Sequence, residues 1–456
     1  MSASNQSGDN NDKSHESHRL MDQIVSQENM TKAYMQVVSN KGAPGVDGLD
    51  TESLKDYLQA SWSKIKEAML AGAYHPQPVR QVSIPKPGGG ERLLGIPTVM
   101  DRLIQQAIHQ ILSPIYDPQF CEWSYGFRGS RSAQQAVEQS QNHIRSGKRW
   151  VIDMDLSKFF DEVPHERLLS KLRREIGDRR VIHLIDRYLK SGVMVNGVEE
   201  SRLKGTPQGS PLSPLLSNIV LDELDKELEK RGHLFVRYAD DFQIYVGSSR
   251  TAKRVMESLT NFIEKKLKLK VNREKSAIGR PWDRIFLGYS VTVHHDTKLR
   301  VPKESIQRFK GKLKEQFRKG RGRNLKRFIE ETLNPILRGW IGYFSKSQSK
   351  GFAQELDKWV RHHLRKIIWV QLKRRWTRLK RLMERGISEE RAAMSCFNQR
   401  GPWWNSGASH MNEAYPRNYF DRVGLLSLQN ELMRYHLCID TENRRIRNRT
   451  YGGVRG

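Results

Sequence analysis

The chain has 456 residues, enough for two to four domains, and a net charge of +28. Such a charge predicts a polyanionic partner, nucleic acid first and an anionic membrane surface second. Three scattered cysteines without a Cys-x-x-Cys pair argue against a disulfide framework and a zinc ribbon, and no apolar run approaches the roughly 18 residues of a spanning helix. With no signal or transit sequence, we expect a soluble intracellular protein that is not associated with a membrane.

The N-terminal region is predicted to begin with a disordered tail, residues 1–19, because these residues offer almost nothing to bury. Apolar residues at helical spacing predict helices over residues 20–39 and 51–71. A Gly/Pro turn cluster at residues 41–48 separates them.

Residues 79–97 alternate around Pro87-Gly-Gly-Gly90, which predicts a β-hairpin. Lys86 and Arg92 flank its turn and could hold a triphosphate, although an ordinary solvated basic hairpin fits the segment equally well. The glycines do not form a P-loop, because no Gly-Lys-Ser/Thr follows.

A helix over 98–112 is predicted next. It is followed by a Gly/Arg/aromatic loop at 124–131, which is either a nucleic-acid contact or a structural turn.

Residues 150–160 form an apolar run interrupted by Asp153 and Asp155. A buried strand tolerates acids only where they are paired or bind metal, and strand alternation puts these two on one face.

Helices over 165–176 and 179–191 follow. A Gly/Pro/Ser loop at 205–214 then opens a helix over 215–230; it could approach a backbone or base closely, or it is a plain helix cap.

Residues 235–246, FVRYADDFQIYV, predict a hairpin with Asp240 and Asp241 at its tip. Adjacent carboxylates near a core call for a hard cation such as Mg²⁺, the alternative being a solvated Asp-Asp turn. Together with Asp155, two adjacent strands would supply three carboxylates, an arrangement suited to two-metal phosphoryl transfer.

From residue 302 onward Lys and Arg far outnumber Asp and Glu over helically spaced apolar residues. Helices are expected over 325–344 and 356–382, and the imbalance favours a polyphosphate partner over a merely solvated face. Trp403 and Trp404 are expected in the core rather than stacked on bases. His410 is expected to be structural, with no metal.

The order of these motifs resembles a reverse transcriptase, and the whole chain resembles a group II intron-encoded reverse transcriptase/maturase over residues 20–435. The motifs that carry the resemblance are the Lys86/Arg92 hairpin, Asp155 with Phe160, Gly205-Thr-Pro-Gln-Gly209, Tyr238-Ala-Asp-Asp241, Lys275 and Phe286-Leu-Gly-Tyr289. Residues 333–343 and 401–428 resemble the maturase segment.

The resemblance implies roles for individual residues. Asp155 and Asp240 would bind two Mg²⁺ ions with support from Asp241, while Asp153 has no assigned role. Phe160 would exclude a ribose 2′-hydroxyl and so favour dNTPs. The remaining nucleotide-binding residues would be Lys86 and Arg92 on the triphosphate, Gln208 near the nascent pair and Lys275 near the leaving group.

The implied fold is α+β, a right-hand polymerase with fingers, a palm with an antiparallel sheet and a helical thumb, followed by a helical maturase (X) domain. The expected divisions are fingers with an N-terminal extension at 20–150, palm at 151–301, thumb at 302–385, the rest of domain X at 386–440 and a basic tail at 441–456. The implied activity is RNA-directed DNA polymerase, a nucleotidyltransferase. The implied location is the bacterial cytoplasm, in association with the nucleoid.

The implied partners are group II intron RNA, an RNA template with a DNA primer, dNTPs and target DNA, in splicing and in intron mobility by target-primed reverse transcription. Many relatives carry a His-Asn-His endonuclease after the maturase block, whereas only the short tail follows here. We therefore expect an endonuclease-lacking type whose primer comes from elsewhere, for instance a replication fork. The alternatives are an RNA-binding splicing chaperone with a dispensable polymerase, and a host-adopted reverse transcriptase in DNA repair or CRISPR adaptation.

Overall fold

The computed structural model describes residues 19–85, 90–195, 198–200, 204–206, 209–294 and 296–438. Of the tails predicted for residues 1–19 and 441–456, all residues except Arg19 lie outside these ranges. The chain divides into two compact units, Met1–Arg280 (unit 1) and Pro281–Gly456 (unit 2). The finer division into fingers, palm, thumb and domain X stays a prediction.

Unit 1 contains helices and two four-stranded sheets. Its helices are α1 (Leu20–Ile24), α2 (Gln27–Ser39), α3 (Leu54–Leu70), α4 (Val99–Tyr116), α5 (Ala133–Arg145), α6 (Phe159–Glu162), α7 (His165–Glu175), α8 (Arg179–Lys190), α9 (Ser213–Lys230) and α10 (Ser249–Phe262). Its strands are β1 (Val79–Pro85), β2 (Glu91–Ile96), β3 (Trp150–Asp155), β4 (Val193–Val195), β5 (Val198–Glu200), β6 (Leu234–Tyr238), β7 (Asp241–Val246) and β8 (Ala277–Gly279).

The first sheet contains the hairpin predicted for residues 79–97. Strands β1 and β2 pair antiparallel with Ile84 opposite Arg92, and the sheet order is β2-β1-β4-β5. Arg92 lies in a strand near the turn, as the alternation predicted. Lys86 lies outside the described residues.

The second sheet, in the order β6-β7-β3-β8, is antiparallel throughout. In β7 every residue from Phe242 to Val246 is buried, because the strand lies inside the sheet with both faces covered. Residues Val151, Ile152 and Met154 of β3 are buried in the same way. One continuous hydrophobic core packs this sheet against helices that include α4, α7, α8, α9 and α10.

Unit 2 is almost entirely helical in the part that the structure describes. It begins with a short antiparallel pair, β9 (Ser290–Val291) and β10 (Leu299–Arg300). Its helices are α11 (Lys303–Gly320), α12 (Leu325–Phe328), α13 (Asn334–Tyr343), α14 (Gly351–Gln371), α15 (Arg375–Met383), α16 (Glu389–Phe397), α17 (Pro402–Gly407), α18 (Ser409–Ala414) and α19 (Arg417–Arg422), with a further helical segment at 428–438. They enclose a separate core. The predicted α+β class is therefore confirmed.

Two helices predicted as continuous are interrupted. Residues 20–39 form α1 and α2, separated at Ser26, whose hydroxyl caps α2 by accepting a hydrogen bond from the backbone N–H of Asn29. Residues 356–382 are broken after α14, where the Arg378 Nε donates to the carbonyl of Leu372 at 2.7 Å. Side chains that bond to backbone at these positions compete with helix continuation, which apolar spacing does not reveal.

Within the described residues, none of the helices combines the length and apolar character that crossing a bilayer requires.

Candidate active site

Three of the predicted carboxylates meet at one end of the second sheet. Asp155 is the last residue of β3 and stands opposite Asp241, the first residue of β7. Asp240 precedes Asp241 in the two-residue turn that joins β6 to β7. Two segments far apart in the chain therefore bring Asp155, Asp240 and Asp241 together, as the motif spacing predicted.

The turn that carries Asp240 is one residue shorter than predicted. Asp241 was expected at its tip but belongs to β7, where it pairs with Tyr238, so the turn consists of Ala239 and Asp240. Two-residue hairpins require a positive φ, and Ala239 adopts it at +59°. Gly126 lies directly against this turn, since a Cβ there would approach the Ala239 nitrogen to 2.3 Å. Close backbone packing thus holds an alanine in a conformation it rarely adopts.

A buried arginine in strand β6 is hydrogen-bonded to the same turn. Arg237 in β6 is fully buried, as is Asp225 in α9, and the two form an ion pair. The Arg237 Nη1 donates to the carbonyl of Ala239 at 3.0 Å and to the Asn218 Oδ1 at 3.0 Å. Its Nη2 also donates to the Ser124 hydroxyl at 2.8 Å. The guanidinium therefore ties the turn to a helix and a loop of unit 1.

Asp155 is held by the segment after α10. The Asn272 Nδ2 donates to the Asp155 Oδ2 at 2.9 Å, and the Asn272 backbone N–H donates to the Asp155 carbonyl at 2.8 Å. Lys275 lies 3.7 Å from the same carboxylate oxygen. The Ser276 hydroxyl accepts from the Asp155 N–H at 3.1 Å. Lys275, predicted near the leaving group, thus lies at the carboxylate cluster.

Burial and mutual repulsion disfavour the charged forms of the clustered acids. Burial, and then the neighbouring negative charges beginning with Asp153, raise the pKa of Asp241 to about 7. The pKa of Asp240 is also raised by burial and by the charge of Asp155, against the opposing charges of Arg92 and Lys275. Negative charge at this end of the sheet is therefore incompletely compensated by protein cations.

The donor set fits a hard divalent cation. Carboxylate oxygens are the ligands that Mg²⁺ prefers, and a cation would relieve the repulsion that raises the two pKa values. Among the described residues, no three His, Cys, Asp or Glu side chains converge closely enough to hold a metal ion as they stand. The Asp155 carboxylate accepts a hydrogen bond from Asn272 and faces Lys275 through the same oxygen, Oδ2. The metal role of the three acids stays a prediction.

A cavity of about 530 Å³ opens beside Asp240. Arg92 from β2, Phe160 from α6 and the loop residues Gly209 and Ser210 line it together with Asp240. Two predicted nucleotide-binding residues therefore share a cavity with one carboxylate. Gln208, the neighbour of Gly209, lies outside the described residues, as Lys86 does.

The loop that begins at Gly205 is hydrogen-bonded to the backbone of Phe160 and of the residues that follow it. The Thr206 N–H donates to the carbonyl of Phe160 at 2.6 Å, and the Gly205 N–H donates to the carbonyl of Val163 at 2.9 Å. Gly205 has φ +90°, and a Cβ there would lie 2.8 Å from the Asp161 backbone, so only glycine fits. This loop therefore has a structural role in positioning the floor of the cavity.

Most of the loop at residues 124–131 is structural. Arg128 pairs with Asp117 at 2.6 Å and also donates to backbone carbonyls, while Ser124 is buried against Arg237. Phe127 differs, because it lines the 530 Å³ cavity and 48% of it is exposed. Only Phe127 keeps the geometry expected of a nucleic-acid contact.

In unit 2 the prediction that Trp403 and Trp404 are core residues is wrong. They are 43% and 52% exposed, because α17 is a short helix whose indoles project from the core. His410 is buried beside Trp369, with 5.6 Å between the ring centroids.

Sequence reasoning missed Arg237, Asp225 and Asn272 as contributors to the site. A signal for the first two was present: one cation in an apolar strand and one acid on the apolar face of α9. Their partnership crosses two elements, so no local pattern could pair them. Asn272 lies three residues before Lys275, and no local pattern identifies Asp155 as its partner.

Two sequence families match the chain. Residues 84–291 match the family described as "Reverse transcriptase (RNA-dependent DNA polymerase)", and residues 306–385 match "Group II intron, maturase-specific domain". The first match contains every candidate residue named above for the site, the whole second sheet and the first sheet except residues 79–83 of β1. The second contains α12 to α15 and α11 from residue 306 onward.

Individual relatives agree with these matches. Protein YkfC of Escherichia coli K12 is 34% identical over 312 residues, which cover 59% of this chain and 82% of YkfC. The group II intron-encoded protein LtrA of Lactococcus lactis subsp. cremoris is 33% identical over 327 residues, which cover 57% of this chain but only 54% of LtrA. A chain of a solved Cas6-RT-Cas1–Cas2 complex is 25% identical over 54% of this chain and 42% of its own, with a TM-score of 0.36.

The carboxylates at the end of an antiparallel sheet, the reverse transcriptase match around them and the maturase-specific match in the helical unit lead to one conclusion. The chain belongs to the group II intron-encoded reverse transcriptase/maturase family, with a right-hand polymerase fold followed by a helical maturase region.

Proposed function

We propose that this protein copies RNA into DNA at the cavity beside Asp240, and that Asp155, Asp240 and Asp241 hold two Mg²⁺ ions there. The observation that supports the proposal most strongly is the register of the second sheet, in which Asp155 and Asp241 are opposed and Asp240 is adjacent. A single-residue slip would send one of these carboxylates to the other face of the sheet.

The protein's own side chains would bind and orient the nucleotide. The Arg92 guanidinium, on the rim of the cavity, would hold phosphate oxygens, with Lys86 as a second cation. Phe160 would lie under the sugar and reject a 2′-hydroxyl. Lys275, close to Asp155, would offset negative charge on the departing pyrophosphate.

The reaction would be in-line attack of a primer 3′-oxygen on the α-phosphorus of a dNTP, with loss of pyrophosphate. Mg²⁺ held by Asp155, Asp240 and Asp241 would lower the pKa of the attacking hydroxyl and would stabilise the charge that develops on phosphate oxygens. The protein orients both reactants and keeps the carboxylates at fixed strand positions, so little reorganisation is needed during reaction.

We further propose that the protein binds its group II intron RNA, assists its splicing and supports intron mobility by target-primed reverse transcription on target DNA. The match of residues 306–385 to the maturase-specific domain and the excess of cations along that segment support this second role. Neither the chaperone alternative nor the host-adopted alternative has a specific observation in its favour.

Primer extension on an RNA template with a DNA primer, dNTPs and Mg²⁺ tests the polymerase. Asp240→Asn should lower extension by on the order of a thousandfold or more while retaining RNA binding. Asp56→Asn, a matched change at an exposed helical aspartate, should leave extension unchanged. Normal extension by the Asp240 variant would refute the site assignment.

The same Asp240 variant separates the two roles. We expect it to support splicing of the intron RNA at the wild-type rate, because the intron's own RNA would perform that chemistry. A splicing defect as large as the extension defect would refute the independence of the two roles.

A further inference from the structure

A cavity of about 390 Å³ lies within unit 2, far along the chain from the candidate active site. Helices α11, α14 and α17 line it. Its volume falls within the range of about 300–1,000 Å³ that small-molecule sites occupy. The residues that line it have no role in the proposed polymerase reaction.

The charged part of the cavity is exclusively cationic. Its lining contains Lys314, Arg318, Arg321 and Lys366, and no carboxylate of the described residues lines it. None of these four cations forms an ion pair within the part of the chain that the structure describes. Positive charge therefore accumulates without internal compensation, which favours an anionic ligand.

The aromatic part of the cavity is held rigidly but is incompletely covered. The Trp403 ring stacks on the His362 ring with 3.8 Å between centroids, and His362 Nε2 donates to the Trp403 carbonyl at 3.0 Å. Gly407 packs against His362, since a Cβ there would approach the imidazole to 3.1 Å. Trp403 nevertheless remains 43% exposed. A fixed, exposed indole is a stacking platform for a planar group.

One buried polar atom of the cavity is unsatisfied. His363 is only 8% exposed and lies between Phe317, at 4.6 Å between parallel rings, and Trp359, at 4.3 Å. Its Nε2 has no hydrogen-bond partner among the described residues. Burial and then the surrounding cations, Lys366 first, lower the pKa of His363 to about 4. The imidazole is thus neutral at pH 7 and can exchange one hydrogen bond with a polar ligand.

A nucleotide has the chemical groups that these three features of the cavity would bind. A base offers a planar face and polar edges, and its flanking phosphate offers the anion. A base inside a duplex cannot reach such a platform, whereas bases of single-stranded loops and bulges can be splayed out onto aromatic side chains.

We propose that this aromatic–cationic cavity binds one unstacked nucleotide of single-stranded RNA, with the base on Trp403 and the adjacent phosphate among Lys314, Arg318, Arg321 and Lys366. The inference rests on the proposed RNA-binding role of unit 2 and deepens it by naming the site and the kind of RNA element. It requires no contact with the candidate active site.

Photocrosslinking and binding measurements on the full chain test the proposal. A short oligouridylate carrying 5-iodouridine should cross-link to Trp403, identified by peptide mass spectrometry. Trp403→Ala should weaken binding of the oligouridylate by about 5- to 150-fold, the usual effect of losing one base–aromatic stack. An abasic ribose-phosphate strand of equal length should bind the wild type and the variant equally.

Matched variants distinguish stacking from a general loss of structure. Trp404→Ala removes the adjacent and more exposed indole, which does not line the cavity, and this variant should bind as the wild type does. Trp403→Phe should recover most of the affinity because it keeps an aromatic face. Arg318→Gln should lower the slope of log affinity against log salt by about 0.7.

The proposal is overturned if the cross-link forms at another residue, or if Trp403→Ala weakens binding of the oligouridylate and of the abasic strand equally. It is also overturned if an oligodeoxyuridylate of the same length binds more tightly than the oligouridylate. Binding requires no catalysis, so a failed primer-extension assay leaves this test intact. Equally, failure here leaves the polymerase proposal untouched.

Discussion

Arg237 and Asp225 form a two-point ion pair with no exposed surface in the interior of unit 1. The Arg237 Nε donates to the Asp225 Oδ1 at 2.7 Å and Nη2 to Oδ2 at 2.5 Å. Because Nη1 also bonds the carbonyl of Ala239, the pair connects helix α9 to the turn that carries Asp240. The position of Asp240, a candidate metal ligand, thus depends on the buried ion pair between Arg237 and Asp225.

Breaking this pair should destabilise the protein. Asp225→Ala strands the Arg237 charge in the core, which typically lowers the free energy of unfolding by about 3–5 kcal/mol. Urea denaturation measures the loss. Lys32→Ala, which breaks an exposed pair with Glu28, should cost less than about 1 kcal/mol. Equal losses in the two variants would contradict the burial argument. Asp225→Leu combined with Arg237→Met should recover much of the stability.

Asn272 should set the magnesium requirement of the polymerase. It fixes the Asp155 carboxylate through its Nδ2, and removing such a supporting hydrogen bond commonly costs about 10- to 100-fold in metal affinity or activity. Asn272→Ala should raise the Mg²⁺ concentration for half-maximal primer extension by that factor. Arg273→Ala, at the neighbouring exposed residue, is the control and should keep the wild-type requirement. An unchanged requirement in the Asn272 variant would argue against Asp155 as a metal ligand.

Phe160 should determine the choice of sugar. Replacing it with alanine opens the floor of the cavity, and we expect incorporation of ribonucleotides relative to deoxyribonucleotides to rise by about 10- to 200-fold. Single-nucleotide extension with matched dNTP and rNTP measures the ratio. Phe127→Ala enlarges the same cavity from the opposite loop and should leave the ratio unchanged. A ratio that rises equally in both variants would show that cavity size alone sets selectivity.

His363 should make unit 2 sensitive to acid. Its pKa falls from an ordinary 6.5 to about 4 in the folded chain, so between these values the unfolded state binds the extra proton. The stability due to the neutral ring is complete above pH 6.5 and is lost as pH falls toward 4, by up to about 1.4 kcal/mol per pH unit. The groups that oppose its protonation are His362 and Lys366 on α14, Lys314 on α11, and Arg321.

His363→Phe should remove this component of the acid sensitivity. Unfolding free energies measured at pH 7 and pH 5 should differ less in this variant than in the wild type. His294→Gln, at an exposed histidine, should keep the wild-type difference. If the His363 variant loses stability with acid as steeply as the wild type, the ring does not titrate as its surroundings require.

Local pattern alone was enough to predict much of unit 1. The alternation in residues 79–97 and 235–246 predicted both hairpins, because side chains in a strand alternate between faces and tight turns use a small set of residues. Helices α7 and α8 match the predicted spans to within a residue. The one displaced acid, Asp241, moved from the turn into the strand because turn length depends on the pairing of β6 with β7.

The sequence by itself determined which residues carry chemistry, since residue type and motif order are local properties of the chain. The tertiary structure alone decided that Asp155 faces Asp241, that Arg237 meets Asp225, and that three separate helices enclose an aromatic–cationic cavity around His363. Those relationships arise from strand register, burial and helix packing, which join residues distant in sequence. No local pattern records them, because the free energy that selects them belongs to the assembled core.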